Sequence, residues 1–241
     1  MRILITGGTR GIGRATALSC AARGWTTALG YRGDAEAAEE TLAAIEAAGG
    51  KSSVHAADIA DPDQVAALFD AAAAAMGGLD GVVVNAGIVA PVMPLAEMTP
   101  ERIERVVRVN LTGALYCARE AARRLPDGGA MVLMSSAAAR LGSPGKYVDY
   151  AAAKGGVDTL TTGLSLELAP RRIRVNGVRP GIIDTEIHAD GGEPDRVALL
   201  GPGLPLGRAG RAEEVAAAVV WLLSDEASYT SGAIIDVAGA R

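Results

Sequence analysis

Tyr150 and Lys154 stand four residues apart in Tyr-Ala-Ala-Ala-Lys, a spacing that puts both side chains on one face of a helix. A phenol can give or take a proton, but its ordinary pKa near ~10 makes it a poor shuttle at neutral pH. Bringing it to about 7 requires roughly 4 kcal/mol of preference for the phenolate. A cation ~5 Å away at an effective dielectric of about 20 supplies roughly 3 kcal/mol of this, and a second positive charge would supply the rest. The pair therefore reads as a general acid/base working on an oxygen. The chain holds five tyrosines and three lysines, and random placement gives only about 0.06 such spacings. Tyr147 is the internal control, since the residue four beyond it is Ala151. An interfacial tyrosine beside a solvated lysine is the alternative.

A second chemical signal is Thr6-Gly7-Gly8-Thr9-Arg10-Gly11-Ile12-Gly13. Gly7, Gly11 and Gly13 give a G-x-x-x-G-x-G spacing between an apolar run and an amphipathic stretch. Residues without side chains let the backbone approach a pyrophosphate, and the N-terminus of the following helix faces its charge. A chain that binds NAD tends to place a carboxylate after the next strand, for the ribose hydroxyls. Here Tyr31 and Arg32 follow Leu29-Gly30, and Arg10 projects from the glycine turn toward the same region. Two guanidiniums favour a 2′-phosphate, hence NADP(H). NAD(H) is the second choice, through Asp34 folding back onto a ribose.

The elements that must position these groups alternate along the chain. Strands are predicted over Arg2–Thr6, Thr26–Tyr31, Ser52–Ala57, Gly81–Ala86, Ala130–Ser135, Ile173–Val178 and Ala233–Val237. Helices are predicted over Gly13–Arg23, Ala35–Ala48, Pro62–Met76, Pro100–Leu125, Tyr150–Leu168 and Ala212–Leu223. Asp61 and Thr99 are the expected caps, with Pro62 at a first helical position. Such alternation, with strands apolar throughout, argues for an α/β fold: a parallel sheet of about seven strands with helices on both faces. No linker or composition shift divides the 241 residues, so one domain spanning 1–241 is expected. In these sheets ligands bind beyond the carboxyl ends of the strands, near the switch point.

Composition narrows the function classes. Hydrophobic residues make up 49 % of the chain and aromatics only 3 %, so the core must be aliphatic. A net charge of −5 without a Lys/Arg block makes nucleic acid and anionic membrane poor partners. No stretch has the length of a membrane span, and residues 1–30 lack the pattern of a secretory signal. Cys20 and Cys117 lie in separate helical patterns and read as reduced packing residues, which points to the cytoplasm. Two histidines and two cysteines without ligand spacing give no expected metal site.

Taken together, these elements resemble the short-chain dehydrogenase/reductase family, in its single-domain branch, over nearly the whole chain. The family's glycine turn is similar to Thr6–Gly13, its adenine-contacting acidic dipeptide to Asp58-Ile59, and its Asn-Ala-Gly to Asn85-Ala86-Gly87. Its helix-borne asparagine matches Asn110, its Tyr-x-x-x-Lys matches Tyr150/Lys154, and its Pro-Gly with downstream threonine resembles Pro180-Gly181 and Thr185. The resemblance implies a Rossmann-type doubly wound sheet and a catalytic group of Asn110, Ser136, Tyr150 and Lys154. The serine should end the fifth strand, where Met134-Ser135-Ser136 stands; Ser136 is the choice and Ser135 the alternative. It further implies that Gly7, Thr9, Arg10, Gly11, Ile12, Gly13, Tyr31, Arg32, Asp58, Ile59, Asn85, Ala86, Gly87, Pro180, Gly181, Ile183 and Thr185 join Tyr150 and Lys154 in holding the cofactor.

By this resemblance Ser136 would hold a substrate carbonyl and Tyr150 would donate the proton as hydride arrives from NADPH. Lys154 would hold the nicotinamide ribose and acidify the phenol, and Asn110 would anchor a relay water. Asn110 bonding only backbone, and Asp58 capping a strand end, are the plainer readings of those two. The Gly/Pro-rich segment 182–206 is expected to be a lid over the substrate. Apart from Lys146, Tyr147 and Asp149, the rim is expected to be small and apolar, suiting a ketone or aldehyde of modest polarity. His188 is expected to be exposed and His55 structural. A 3-oxoacyl-thioester reductase and a sugar or general alcohol dehydrogenase both fit, Arg123-Arg124 and Arg171-Arg172 being either a basic rim for an acyl carrier or solvated helix ends. A non-catalytic NADP-binding sensor is the reading from another class. The family implies a homotetramer, and small-residue helix faces make at least a homodimer plausible.

Overall fold

Ile3 and Ile5 of strand β1 (Arg2–Thr6) are fully buried on one side of a sheet, and Leu4 is fully buried on the other. This alternation is the two-residue period of a strand covered on both faces. The computed structural model describes residues 1–241, and its strands β2 (Thr26–Tyr31), β4 (Gly81–Val84), β5 (Ala130–Met134) and β6 (Arg174–Pro180) are built the same way, while β3 (Lys51–Ala56), at the sheet edge, is only partly buried. With β9 (Ile234–Val237) they form one seven-stranded parallel sheet in the order β3-β2-β1-β4-β5-β6-β9. The order reverses between β1 and β4, which makes the carboxyl ends of those strands the switch point.

Helices α1 (Gly11–Ala22), α2 (Ala35–Ala47) and α10 (Ala212–Leu223) cover one face, around Ile5, Cys20, Ile45, Val132 and Val219. Helices α3 (Pro62–Met76), α5 (Gly113–Arg124) and α7 (Val148–Glu167) cover the other, around Phe69, Val82, Cys117, Leu133 and Val157. Cys20 and Cys117 thus lie on opposite faces as free thiols, and burial pushes both up to about 12. Asp34 caps α2 through the Ala37 amide, and Asp61 caps α3 through Asp63 and Gln64. No helix is long and apolar enough to cross a membrane.

Three departures from the sequence reading bear on the site. Strand β4 stops at Val84, because the amides of Asn85 and Ala86 turn aside to Thr6 Oγ1, at 3.0 and 3.1 Å. The expected single helix over Pro100–Leu125 is interrupted. Helix α4 (Pro100–Val107) gives way to a π-helical turn at Arg108–Thr112 before α5 begins. Asn110 Nδ2 donates to the Val106 carbonyl at 2.9 Å, the acceptor that its own backbone N–H would use in a regular α-helix. Finally, the segment after β6 is folded rather than open. Two-residue strands β7 (Ile183–Asp184) and β8 (Gly210–Arg211) pair in parallel, and short helices α8 (Ile187–Asp190) and α9 (Arg196–Leu200) lie between them. The four-residue helix α6 (Ala138–Leu141) completes the set.

Candidate active site

A cleft of about 860 Å³ opens at the carboxyl ends of β1, β4, β5 and β6. The glycine turn forms its floor. Gly7 and Gly11 adopt left-handed backbone at φ 62° and 49°, a region closed to most side chains. Asn85 Nδ2 donates to the carbonyls of Thr6 and Gly7 at 3.0 and 2.9 Å, stitching the end of β4 to this turn. A Cβ on Gly13 would lie 1.9 Å from the Gly7 carbonyl oxygen. Gly13 therefore serves the packing of α1 against the turn, and it does not line the cleft, unlike the direct contact implied by the family resemblance.

Arg10 and Arg32 line the cleft, yet each already faces a carboxylate. Arg32 lies 3.6 Å from Asp58, and Arg10 lies 3.1 Å from Asp190 and 3.9 Å from Asp34. The sequence reading puts no carboxylate directly after the second strand and has Asp34 close by. Asp58, just past β3, and Asp190, in α8, are brought in by the fold. All three pairs are largely exposed, so each contributes only about 0–1 kcal/mol and yields readily to a stronger anion. Asp34 is engaged as the α2 cap rather than folded toward a ribose. Asp58 also accepts from the Ala60 amide at 2.9 Å, the strand-end cap foreseen as its plainer role.

Ser136, Tyr150 and Lys154 meet at the other end of the cleft. Burial raises the pKa of the Tyr150 phenol, and the neighbouring Ser136 hydroxyl acts against that rise. The two serines at the strand end diverge. Ser135 Oγ is buried and donates to the Lys154 carbonyl at 3.1 Å, while Ser136 accepts from Ala138 N at 3.1 Å and lines the cleft beside Tyr150. Lys154 Nζ donates to the Met134 carbonyl at 2.8 Å and sits 5.6 Å from the Tyr150 ring centroid. Burial lowers its pKa to about 8, with Asp158 pulling it up. The phenol thus stands above its ordinary value, whereas the sequence reading has the amine bring it down. Desolvation outweighs an ammonium engaged by a backbone carbonyl.

Asn110 is buried and uses its whole amide on backbone: Oδ1 accepts from Ile88 N at 3.1 Å, and Nδ2 donates to Ile88 O and Val106 O, each at 2.9 Å. A Cβ on Gly87 would lie 2.7 Å from Asn110 Oδ1 and 3.5 Å from Lys154 Nζ. The bare glycine therefore leaves both atoms facing one small space. On the rim, Tyr147 donates to Glu193 at 2.7 Å, and Lys146 and Arg196 also pair with Glu193. Asp149, expected on the rim, turns instead into the protein beneath Arg102. His188, expected to be exposed, is half-buried on the cleft wall with its Nε2 2.9 Å from the Ile183 carbonyl. His55 bonds Ser53 at 2.9 Å, as a structural histidine would.

A family model described as enoyl-(acyl carrier protein) reductase matches residues 7–239. The chain is 54 % identical to the uncharacterized oxidoreductase YgfF of Escherichia coli, over 99 % of this chain and 98 % of that one. It is 40 % identical to 3beta-hydroxysteroid dehydrogenase 1 of Eggerthella lenta, covering 98 % and 92 % of the two chains. The structure superposes with a TM-score of 0.91 on a short chain dehydrogenase from Burkholderia cenocepacia in complex with NADP, 36 % identical, covering 99 % and 96 %. The chain belongs to the short-chain dehydrogenase/reductase family.

As a short-chain dehydrogenase/reductase it is an oxidoreductase that uses a nicotinamide cofactor, and its cleft fits that group. Helix α1 has no side-chain cap and no acid in its first turn, whereas α2 and α3 are both capped by aspartates. Its first N–H groups are thus left for an anion. Thr9, Ile12, Tyr31, Ile59, Ala86, Pro180, Gly181, Ile183 and Thr185 line the same cleft. Sequence reasoning had not singled out Thr6, whose hydroxyl holds the β4 end, nor Asp190, which faces Arg10. Thr6 begins the glycine motif and was readable from position. Asp190 depends on the fold of 182–206 and carried no sequence signal.

Proposed function

We propose that this protein is an NADP(H)-dependent oxidoreductase that interconverts a carbonyl and an alcohol, with Tyr150 as general acid/base. The observation that carries this reading is the gathering of Ser136, Tyr150 and Lys154 in one cleft, with Lys154 Nζ 5.6 Å from the Tyr150 ring centroid. Arg10 and Arg32 would exchange their exposed carboxylate partners for a 2′-phosphate, and the uncapped α1 would face the pyrophosphate. When bound, the nicotinamide supplies or accepts the hydride. Ser136 holds the substrate oxygen, and Tyr150, kept protonated by burial, donates the proton in the reductive direction. Lys154 steadies the phenol and contributes positive charge beside it. The space beside Gly87, faced by Asn110 Oδ1 and Lys154 Nζ, suits a water that resupplies the proton.

The substrate end of the cleft favours a neutral, largely apolar ketone or secondary alcohol. Ile88, Val89, Leu141, Pro144 and Ile187 line it. Arg196 on the wall is matched by Glu193, and burial lowers the pKa of His188 and so favours the neutral ring. A relative named for a hydroxysteroid supports a bulky alicyclic substrate. Segment 182–206 would act as the lid, within one domain of residues 1–241. Exposed Leu115 and Leu166 on α5 and α7 support self-association, as a homodimer or homotetramer. The two thiols suit the cytoplasm. A non-catalytic sensor would need the glycine turn but not the paired hydroxyls.

The test is a panel of alicyclic ketones, acyl thioesters and sugars, followed at the nicotinamide absorbance band with NADPH and NADH. Tyr150→Phe should abolish turnover and leave NADPH affinity within about threefold, since the phenol acts on the reacting oxygen. Equal turnover in the variant would remove the acid assignment.

A further inference from the structure

Behind the cleft, Arg102 and Asp149 form the most enclosed ion pair of the molecule, with side chains 10 % and 1 % exposed and Nε 3.1 Å from Oδ2. Asp149 stands in the first turn of α7, immediately before Tyr150, and its Oδ1 accepts from the Tyr150 backbone amide at 2.9 Å. A carboxylate is favoured at a helix N-terminus. One buried to this degree still needs a counter-charge. Arg102, on α4, supplies it and spends its remaining donors on the carbonyl of Pro91, in the loop after β4, and on that of Lys146, at 3.4 Å. One planar guanidinium therefore ties together the loop that follows β4, the approach to α7 and the turn that carries Tyr150. A lysine, with a single point charge, cannot span these three acceptors in the same way.

We infer that Arg102 is a positioning residue for Tyr150, acting through Asp149. Neither side chain lines the cleft, so the effect reaches the phenol only through the register of the first turn of α7. The inference rests on the reading of Tyr150 as the acid. A small displacement of a reacting group by a remote change costs roughly ten- to hundredfold in rate, and a loss of that order is expected in kcat for Arg102→Gln. Arg102→Lys should lie between, and NADPH dissociation constants should stay within about threefold, because the cofactor residues are untouched.

The experiment pairs these kinetics with NMR of protein carrying 13Cζ-tyrosine. The chain has five tyrosines, and the Tyr150 resonance is identified by its loss in Tyr150→Phe. In Arg102→Gln the Tyr150 resonance should shift or broaden and its titration should move, while those of Tyr31, Tyr116 and Tyr229 stay in place. A folded variant with wild-type kcat and an unmoved Tyr150 resonance overturns the inference, as does a change confined to KM. Should Arg102→Gln fail to fold, Asp149→Asn, which keeps an acceptor for the Tyr150 amide but removes the charge, must show the same loss and the same shift. Absence of turnover in the wild-type protein would count against the proposed function, and the resonance would still decide the placement of Tyr150.

Discussion

The ammonium of Lys154 donates to the Met134 carbonyl at 2.8 Å, so the lysine is held by the strand that ends beneath it. Enclosure lowers its pKa from 10.5 to about 8. Between those values the unfolded chain binds a proton that the folded chain does not. This group therefore makes the protein more stable as pH rises from about 8 toward 10.5, by roughly 1.4 kcal/mol per pH unit. Cys20 and Cys117, pushed up from 9.0 to about 12, act in the opposite direction above pH 9. Denaturant unfolding of cofactor-free wild type against Lys154→Met isolates the lysine. The difference in stability should grow in favour of wild type across that window, and a constant difference would contradict the assignment.

Ser135 and Ser136 separate by what each hydroxyl touches. Ser136→Ala should lower kcat/KM by roughly a hundredfold, as losing a donor to a developing oxyanion does. Ser135→Ala leaves the Lys154 carbonyl short of a partner and should cost about 1–3 kcal/mol of stability, with turnover within a few-fold. Steady-state rates and thermal melts of the two variants check this, and a reversed pattern would make Ser135 the substrate-facing serine.

Arg32→Ala should weaken NADPH far more than NADH. On the proposed reading the guanidinium would pair with a 2′-phosphate and would have nothing equivalent to hold in NADH. The substitution also leaves the Asp58 carboxylate, now 3.6 Å from Arg32, without its cation. Calorimetric titration of both cofactors gives the ratio, and an equal loss for the two would count against NADP preference.

Gly13→Ala tests the floor of the cleft. The added Cβ would meet the Gly7 carbonyl at 1.9 Å and the Asn85 amide at 2.8 Å, and neither is free to move without opening the turn. Cofactor affinity should fall at least about tenfold and the melting temperature should drop, in line with overpacking costs of about 1–3 kcal/mol or more. Fluorescence titration with NADPH and a thermal melt give both numbers.

The sheet was legible because apolar runs alternate with amphipathic stretches, and the boundaries of β1, β2, α3 and α10 follow from sequence pattern and caps alone. The glycine turn and the Tyr150–Lys154 pair stand out by short-range spacing, whereas the choice between the two serines comes from the family resemblance. What sequence missed depends on contacts across the chain. The π-turn at Asn110 accompanies a side chain that is held by Ile88, twenty-two positions away, while it competes for Val106. The inward turn of Asp149 requires Arg102, forty-seven positions away. The carboxylates facing Arg10 and Arg32 come from α8 and the end of β3. No local pattern announces any of these.

Ile183 pairs with Gly210 and Asp184 with Arg211 in a small sheet of their own, so the chain leaves this point and comes back to it through neighbouring positions. Everything between is an excursion whose ends are pinned together, and lengthening such a loop raises its closure entropy only slowly, about 0.6 kcal/mol per doubling. The first part of the stretch nevertheless touches the cofactor half, since Asp190 pairs with Arg10 and Thr185 stands against Gly11. A graft that leaves the glycine turn undisturbed therefore keeps Thr185 and Asp190 and varies the chain beyond them, between Gly191 and Gly210.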